Sequence, residues 1–160
     1  VIKIGNELPM MSYNNGKVVM VNRGEIQTFN LKLNQGEYKD GQIIKPNIKE
    51  FGRSETYAQS MKFAPTGRYF SICGDNDFVV YQFPKFANAA FGSGTDLVWA
   101  SVNQSSHIFA IKADDNKIKV YKNMQEYKIF QVGFTVTGIY GGRLLGIKSK
   151  EFITFYDWET

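Results

Sequence analysis

Few side chains in this sequence are of the types that do chemistry, and their spacing argues against most of it. The one histidine, His107, opens an apolar run, His107-Ile108-Phe109-Ala110-Ile111. A Ser-His-Asp mechanism would need that imidazole poised beside a nucleophile, whereas at the head of such a run it reads as a strand-edge or capping residue. The one cysteine, Cys73, precedes Gly74 at the end of another apolar run, the setting of a small buried hydrophobe rather than a reactive thiol. These two residues share no metal-ligand spacing. Asp75-Asn76-Asp77 and Asp114-Asp115-Asn116 lack the glycine and distal glutamate of a calcium loop, and suit tight turns whose backbone such side chains cap. No catalytic, cofactor or metal site is assigned, and the chain is read as no enzyme.

Three weaker patterns remain. Gly92-Ser93-Gly94 begins like a dinucleotide fingerprint, but Leu97 stands at the third glycine position and no helical pattern follows. Asn103-Gln104-Ser105 spells a glycosylation acceptor and reads as a loop. Lys112, Lys117, Lys119 and Lys122 are the densest basic group and form a candidate anion-binding patch, interrupted by Asp114 and Asp115. The net charge of +4 is otherwise scattered along the chain, so nucleic acid is not an expected partner.

What must position these residues is a set of short strands. From Phe51 onward, runs of four to six residues rich in Val, Ile, Phe and Tyr alternate with turn clusters such as Pro65-Thr66-Gly67 and Gly141-Gly142, and no stripe of period 3.6 appears. Upstream, Lys17–Val21 and Glu25–Leu31 are joined by Asn22-Arg23-Gly24 and preceded by Asn15-Gly16, a hairpin signal. From Asn34 to Pro46 the text is polar and punctuated by glycine. Aromatic residues divide accordingly: Tyr13, Phe29 and Tyr38 in the first 50 residues, the other 21 of 24 after them. That load, with 43% hydrophobic residues, argues against disorder, and no apolar run approaches the ~20 residues of a spanning helix. A lone cysteine suits a reducing compartment, with the cytoplasm as default. The start at Val1, without a leader, is expected to be a cut within a longer chain.

The strands repeat. Met61 to Phe83, Val98 to Asn123 and Gly138 to Trp158 superpose as three strands and two turns, with Tyr81, Tyr121 and Tyr156 near the end of the third strand, 40 and then 35 residues apart. Gly16 to Leu31 is a weaker fourth unit with Phe29 at the tyrosine position. A period near 40, about four short strands per unit and a closing Tyr156-Asp157-Trp158 predict an all-β fold: part of a WD-repeat β-propeller, about four blades of antiparallel four-stranded sheets. The expected division is a degenerate blade or blade fragment at 1–33, a connector at 34–50 and about three blades at 51–160. Each blade has two apolar faces that only its neighbours can cover.

The stretch FGRSETYAQSMKFAPTGRYFSICGDNDFVVYQF, the later AAFGSGTDLVWA and the closing IYGGRLLGIKSKEFITFYDWE resemble the second WD-repeat propeller of the coatomer beta-prime family, part of the COPI vesicle coat. Residues from about Lys49 to Thr160 carry the resemblance, and 1–48 share it loosely. It implies a non-enzymatic scaffold module in vesicle transport between Golgi and endoplasmic reticulum, cytoplasmic and peripheral on Golgi membranes and COPI-coated vesicles. Other coatomer subunits, the alpha-type foremost, are the implied partners, with cargo tails met through the parent chain. No dilysine-reading site is carried over. The alternatives are a generic WD-repeat adaptor that binds peptides, or a weak binder of anionic ligands, RNA or phosphoinositide, through the four lysines. Uncovered end blades also predict self-association of the fragment.

Overall fold

The computed structural model describes residues 10–31, 39–43, 45–102 and 106–159. Its regular structure is entirely β. The first blade comprises β1 (Met10–Asn14), β2 (Lys17–Asn22), β3 (Glu25–Asn30) and β4 (Lys49–Arg53). The second holds β5 (Ser60–Phe63), β6 (Tyr69–Cys73), β7 (Asp77–Gln82) and β8 (Ala87–Ser93). The third holds β9 (Asp96–Trp99), β10 (Ile108–Lys112), β11 (Lys117–Lys122) and β12 (Gln125–Gln131). The fourth has three described strands, β13 (Gly138–Tyr140), β14 (Leu145–Lys148) and β15 (Ile153–Tyr156). In each sheet the strands are antiparallel and lie side by side in chain order.

Local chemistry sets the hairpins. Asn15 and Gly16 between β1 and β2, and Arg23 and Gly24 between β2 and β3, all have positive φ, the two-residue turn whose twist matches that of the strands. Asn123 and Met124 make the same turn between β11 and β12 without a glycine. The outer strands each carry one extra residue: Phe51 in β4, Ala89 in β8 and Tyr127 in β12. Such bulges twist an exposed edge away from indiscriminate pairing.

The core lies between the sheets. Val19 and Ile26 of the first blade pack with Met61, Phe63, Phe70 and Tyr81 of the second. Phe78 and Val80 of the second meet Leu97, Trp99, Phe109 and Tyr121 of the third. Ile118 and Val120 of the third meet Ile139, Leu145, Ile147 and Trp158. Four sheets thus share three apolar interfaces. Burying each such side chain contributes about 1.5–3 kcal/mol, so it is the stacking of blades, more than any one sheet, that stabilises the fold.

Strands Met10–Asn14, Lys49–Arg53 and Ala87–Ser93 were not foreseen in the sequence. β3 and β4 pair with each other, and β4 (Lys49–Arg53) overlaps the last two residues of the stretch 34–50 expected as a connector. The glycosylation-like triplet at 103–105 lies outside the described residues.

Candidate functional site

The repeat tyrosines occupy one structural position. Tyr81 is the cross-strand partner of Phe70, Tyr121 of Phe109 and Tyr156 of Leu145, while Phe29 faces Val18 in the first blade. The Tyr81 ring stacks on Phe70 at 5.3 Å, and Tyr121 on Phe109 at 4.8 Å with planes 5° apart. Burial pushes the hydroxyl pKa of both tyrosines above its ordinary value. Trp158 is buried in the last interface and donates its indole N–H to the Gly142 carbonyl at 3.0 Å. That carbonyl also accepts the Ser101 amide at 2.9 Å, so the closing Trp joins the fourth blade to the end of β9. Asp157 caps the turn beyond, its Oδ1 accepting the Glu159 amide at 2.8 Å.

The four lysines do not form a single surface. Lys112 lies opposite Ile118 and shares the face of Lys122 that looks toward the fourth blade, whereas Lys117 and Lys119 alternate onto the other face with Tyr121. Lys122 pairs with Glu159 at 3.1 Å, Lys119 with Glu126 at 3.2 Å, and Lys112 approaches Asp115 at 3.9 Å. Register and nearby carboxylates thus divide and offset the charge that the linear sequence gathers.

The other chemistry-bearing residues have structural surroundings. His107 sits just before β10, its ring edge-on to Tyr69 at 4.6 Å and its amide donating to Asn123 Oδ1 at 3.1 Å. Burial, and secondarily Arg68, holds its imidazole pKa below the usual value. Cys73 is buried among Phe78 and its neighbours, and burial first, then the Asp96 carboxylate, pushes its thiol up to about 12. Asp77 accepts the Thr56 hydroxyl at 2.9 Å and Asp75 accepts Gln59 Nε2 at 2.6 Å, both from the segment before β5, while Asp114 Oδ1 accepts the Asp115 amide at 2.8 Å within its own turn. Among the described residues no cluster of three or more His, Cys, Asp or Glu could hold a metal ion.

The concavity that sequence reasoning missed is formed by the innermost strands. β1, β5, β9 and β13 together line a cleft of about 790 Å³. Lys62 spans it, pairing with Asp96 at 3.1 Å and donating to the Leu97 carbonyl at 2.9 Å. Ser12 Oγ accepts the Phe63 amide at 2.8 Å, and Asn14 Nδ2 donates to the Pro65 carbonyl at 3.1 Å. These polar groups are engaged in tying one blade to the next. Nothing in the spacing of Lys62 or Asp96 marks them, because their partnership depends on the stacking of sheets 34 residues apart in the chain.

Four antiparallel sheets stacked face to face, with first strands around a common cleft and a buried tryptophan closing the last unit, define a partial WD-type β-propeller. A model of the COPA/B second beta-propeller family matches residues 23–160, and the chain belongs to that family. It is 37% identical to coatomer subunit beta' of Bos taurus over 99% of this chain and 17% of the relative. The Homo sapiens coatomer subunit beta' is 36% identical over the same shares, and coatomer subunit beta'-2 of Arabidopsis thaliana 37% identical over 98% of this chain and 17% of its own. The chain thus spans 17% of the length of these relatives. In fold it is similar to a chain in the structure of a Mitotic Checkpoint Complex, with TM-score 0.63 and 12% identity, covering 99% of this chain and 50% of that one. The computationally designed Ika4 protein gives TM-score 0.59 and 10% identity, covering 98% and 95%.

Proposed function

We propose that this chain is a non-enzymatic scaffold module of the COPI vesicle coat, cytoplasmic and peripheral on Golgi membranes, supporting transport between Golgi and endoplasmic reticulum. The observation that carries the reading is the identity of 37% to coatomer subunit beta', sustained over 99% of the chain. The physical surroundings agree with it. The histidine and cysteine are absorbed into packing, the turn carboxylates Asp75 and Asp77 into side-chain hydrogen bonds within the second blade, and the polar residues of the inner cleft into contacts between blades. Its partners are other coatomer subunits, the alpha-type foremost, reached through the parent protein. Imaging and membrane fractionation of the tagged parent test the location: the expected result is a pool on Golgi membranes and vesicles beside a cytosolic pool, and a parent protein never found on them overturns it.

A further inference from the structure

The register that aligns the repeat tyrosines aligns the rest of each sheet. Val18–Phe29, Phe70–Tyr81 and Phe109–Tyr121 are equivalent cross-strand pairs, so Lys17 and Thr28 of the first blade stand where the second has Tyr69 and Val80 and the third has Ile108 and Val120. In the second and third blades these side chains belong to the apolar packing against the next sheet. The first blade places an amine and a hydroxyl there instead.

A pocket of about 520 Å³ opens at this point, between the first blade and the turn that follows β7 in the second. It lies between two neighbouring blades, not on the open face of either end of the stack. Phe51, Phe83 and Pro84 make its apolar wall, with the Phe51 ring 5.2 Å from that of Phe83, itself only 8% exposed. The Lys17 ammonium lies 5.3 Å from the centre of the Phe83 ring. Lys49, the cross-strand partner of Thr28, stands on the same face of the sheet, whereas Glu50 pairs with Gln27 and takes the other. The Thr28 hydroxyl already donates to the Val18 carbonyl at 2.8 Å. Lys62, Lys112, Lys119 and Lys122 each have a carboxylate at 3.1–3.9 Å, but Lys17 and Lys49 have none among the described residues.

We propose that this pocket binds an acidic peptide segment: one apolar side chain, aromatic or leucine, packs on Phe51 and Phe83, and the carboxylates beside it pair with Lys17 and Lys49. An inorganic anion or a lipid phosphate would satisfy the lysines but leave the aromatic wall uncovered. An apolar group alone would leave the half-buried Lys17 without a counter-charge. The volume falls within the roughly 300–1,000 Å³ of ordinary ligand sites.

Fluorescence anisotropy with a labelled synthetic peptide, one phenylalanine flanked by aspartates, tests this on the purified parent protein. Saturable binding is expected. Serine in place of the phenylalanine, or asparagine in place of the aspartates, should weaken it about tenfold or more, the cost of a lost large apolar contact or of lost charge-assisted bonds. Lys17→Gln and Lys49→Gln should each weaken it about tenfold as well, while Lys128→Gln, at a half-buried lysine of the third blade, should leave it unchanged. Circular dichroism confirms the fold of every variant. A peptide that does not bind saturably overturns the proposal, and so does binding that ignores the phenylalanine or survives both lysine substitutions. Vesicles containing phosphatidylserine that bind in a Lys17-dependent way where the peptide does not would assign the pocket to a lipid surface and overturn it too.

Discussion

Trp99 donates its indole N–H to the Ser71 hydroxyl at 3.2 Å, joining the inner strand of the third blade to the middle of the second. Both residues are buried, and Ser71 Oγ in turn donates to the Lys62 carbonyl at 3.2 Å. The hydroxyl therefore works as a relay across a blade interface.

Ser71→Ala leaves the Trp99 N–H buried without that acceptor, and is expected to cost about 1–3 kcal/mol. Urea unfolding should show a lower midpoint with an unchanged slope. Trp99→Phe in the same background should add less than its cost in wild type, because the two changes remove one interaction.

A methyl group on Gly141 would run into the Trp99 carbonyl oxygen, a backbone atom with little room to yield. Gly141→Ala should destabilise by about 1–3 kcal/mol, the ordinary cost of overpacking. Gly133→Ala, where a Cβ meets nothing within 4 Å, is the matched control and should leave the thermal midpoint almost unchanged.

Trp158→Ala removes the largest side chain of the last interface together with its bond to Gly142, and should cost about 3–5 kcal/mol. Phenylalanine at 158 restores most of the packing but not the hydrogen bond. Comparing the two by denaturant unfolding separates those contributions.

These positions also show what the sequence could carry. The tyrosines at 81, 121 and 156 were legible because three blades place tyrosine at the same cross-strand position, at a regular distance along the chain. The middle strands were legible because both faces are largely buried and so read as Val, Ile and Phe runs. β4 and β8 were not, since an outer strand such as Ala87–Ser93 is mostly solvated and carries little β-branched signal. The lysine patch misled for a related reason: linear proximity ignores alternation, which sends Lys112 and Lys117 to opposite faces of one sheet.

Cys73, with its thiol held near 12, should resist an aromatic disulfide reagent at pH 8 in the native protein and react promptly in denaturant. The linkage has a definite sign. The unfolded thiol ionises from its ordinary value of 9.0, whereas the folded thiol keeps its proton to about 12, so stability present below 9.0 is lost as pH rises through that window. Cys73→Ala should show a shallower alkaline loss. Native labelling at the denatured rate would contradict the burial.

His107 titrates on the acid side with the opposite consequence. Its folded pKa lies below the ordinary 6.5, so the unfolded chain binds the proton first, and stability present above pH 6.5 falls as the pH drops toward the folded value. An NMR titration of the imidazole should give a midpoint below 6.5, and His107→Gln should lose part of the acid sensitivity.

Affinity purification of the tagged parent protein under native conditions tests the central claim most directly. The account predicts that coatomer subunits co-purify in fixed proportion, the alpha-type among them, and that Trp158→Ala, by loosening the last blade, lowers their recovery relative to Gly133→Ala. A parent protein that purifies in good yield without coatomer subunits would contradict it.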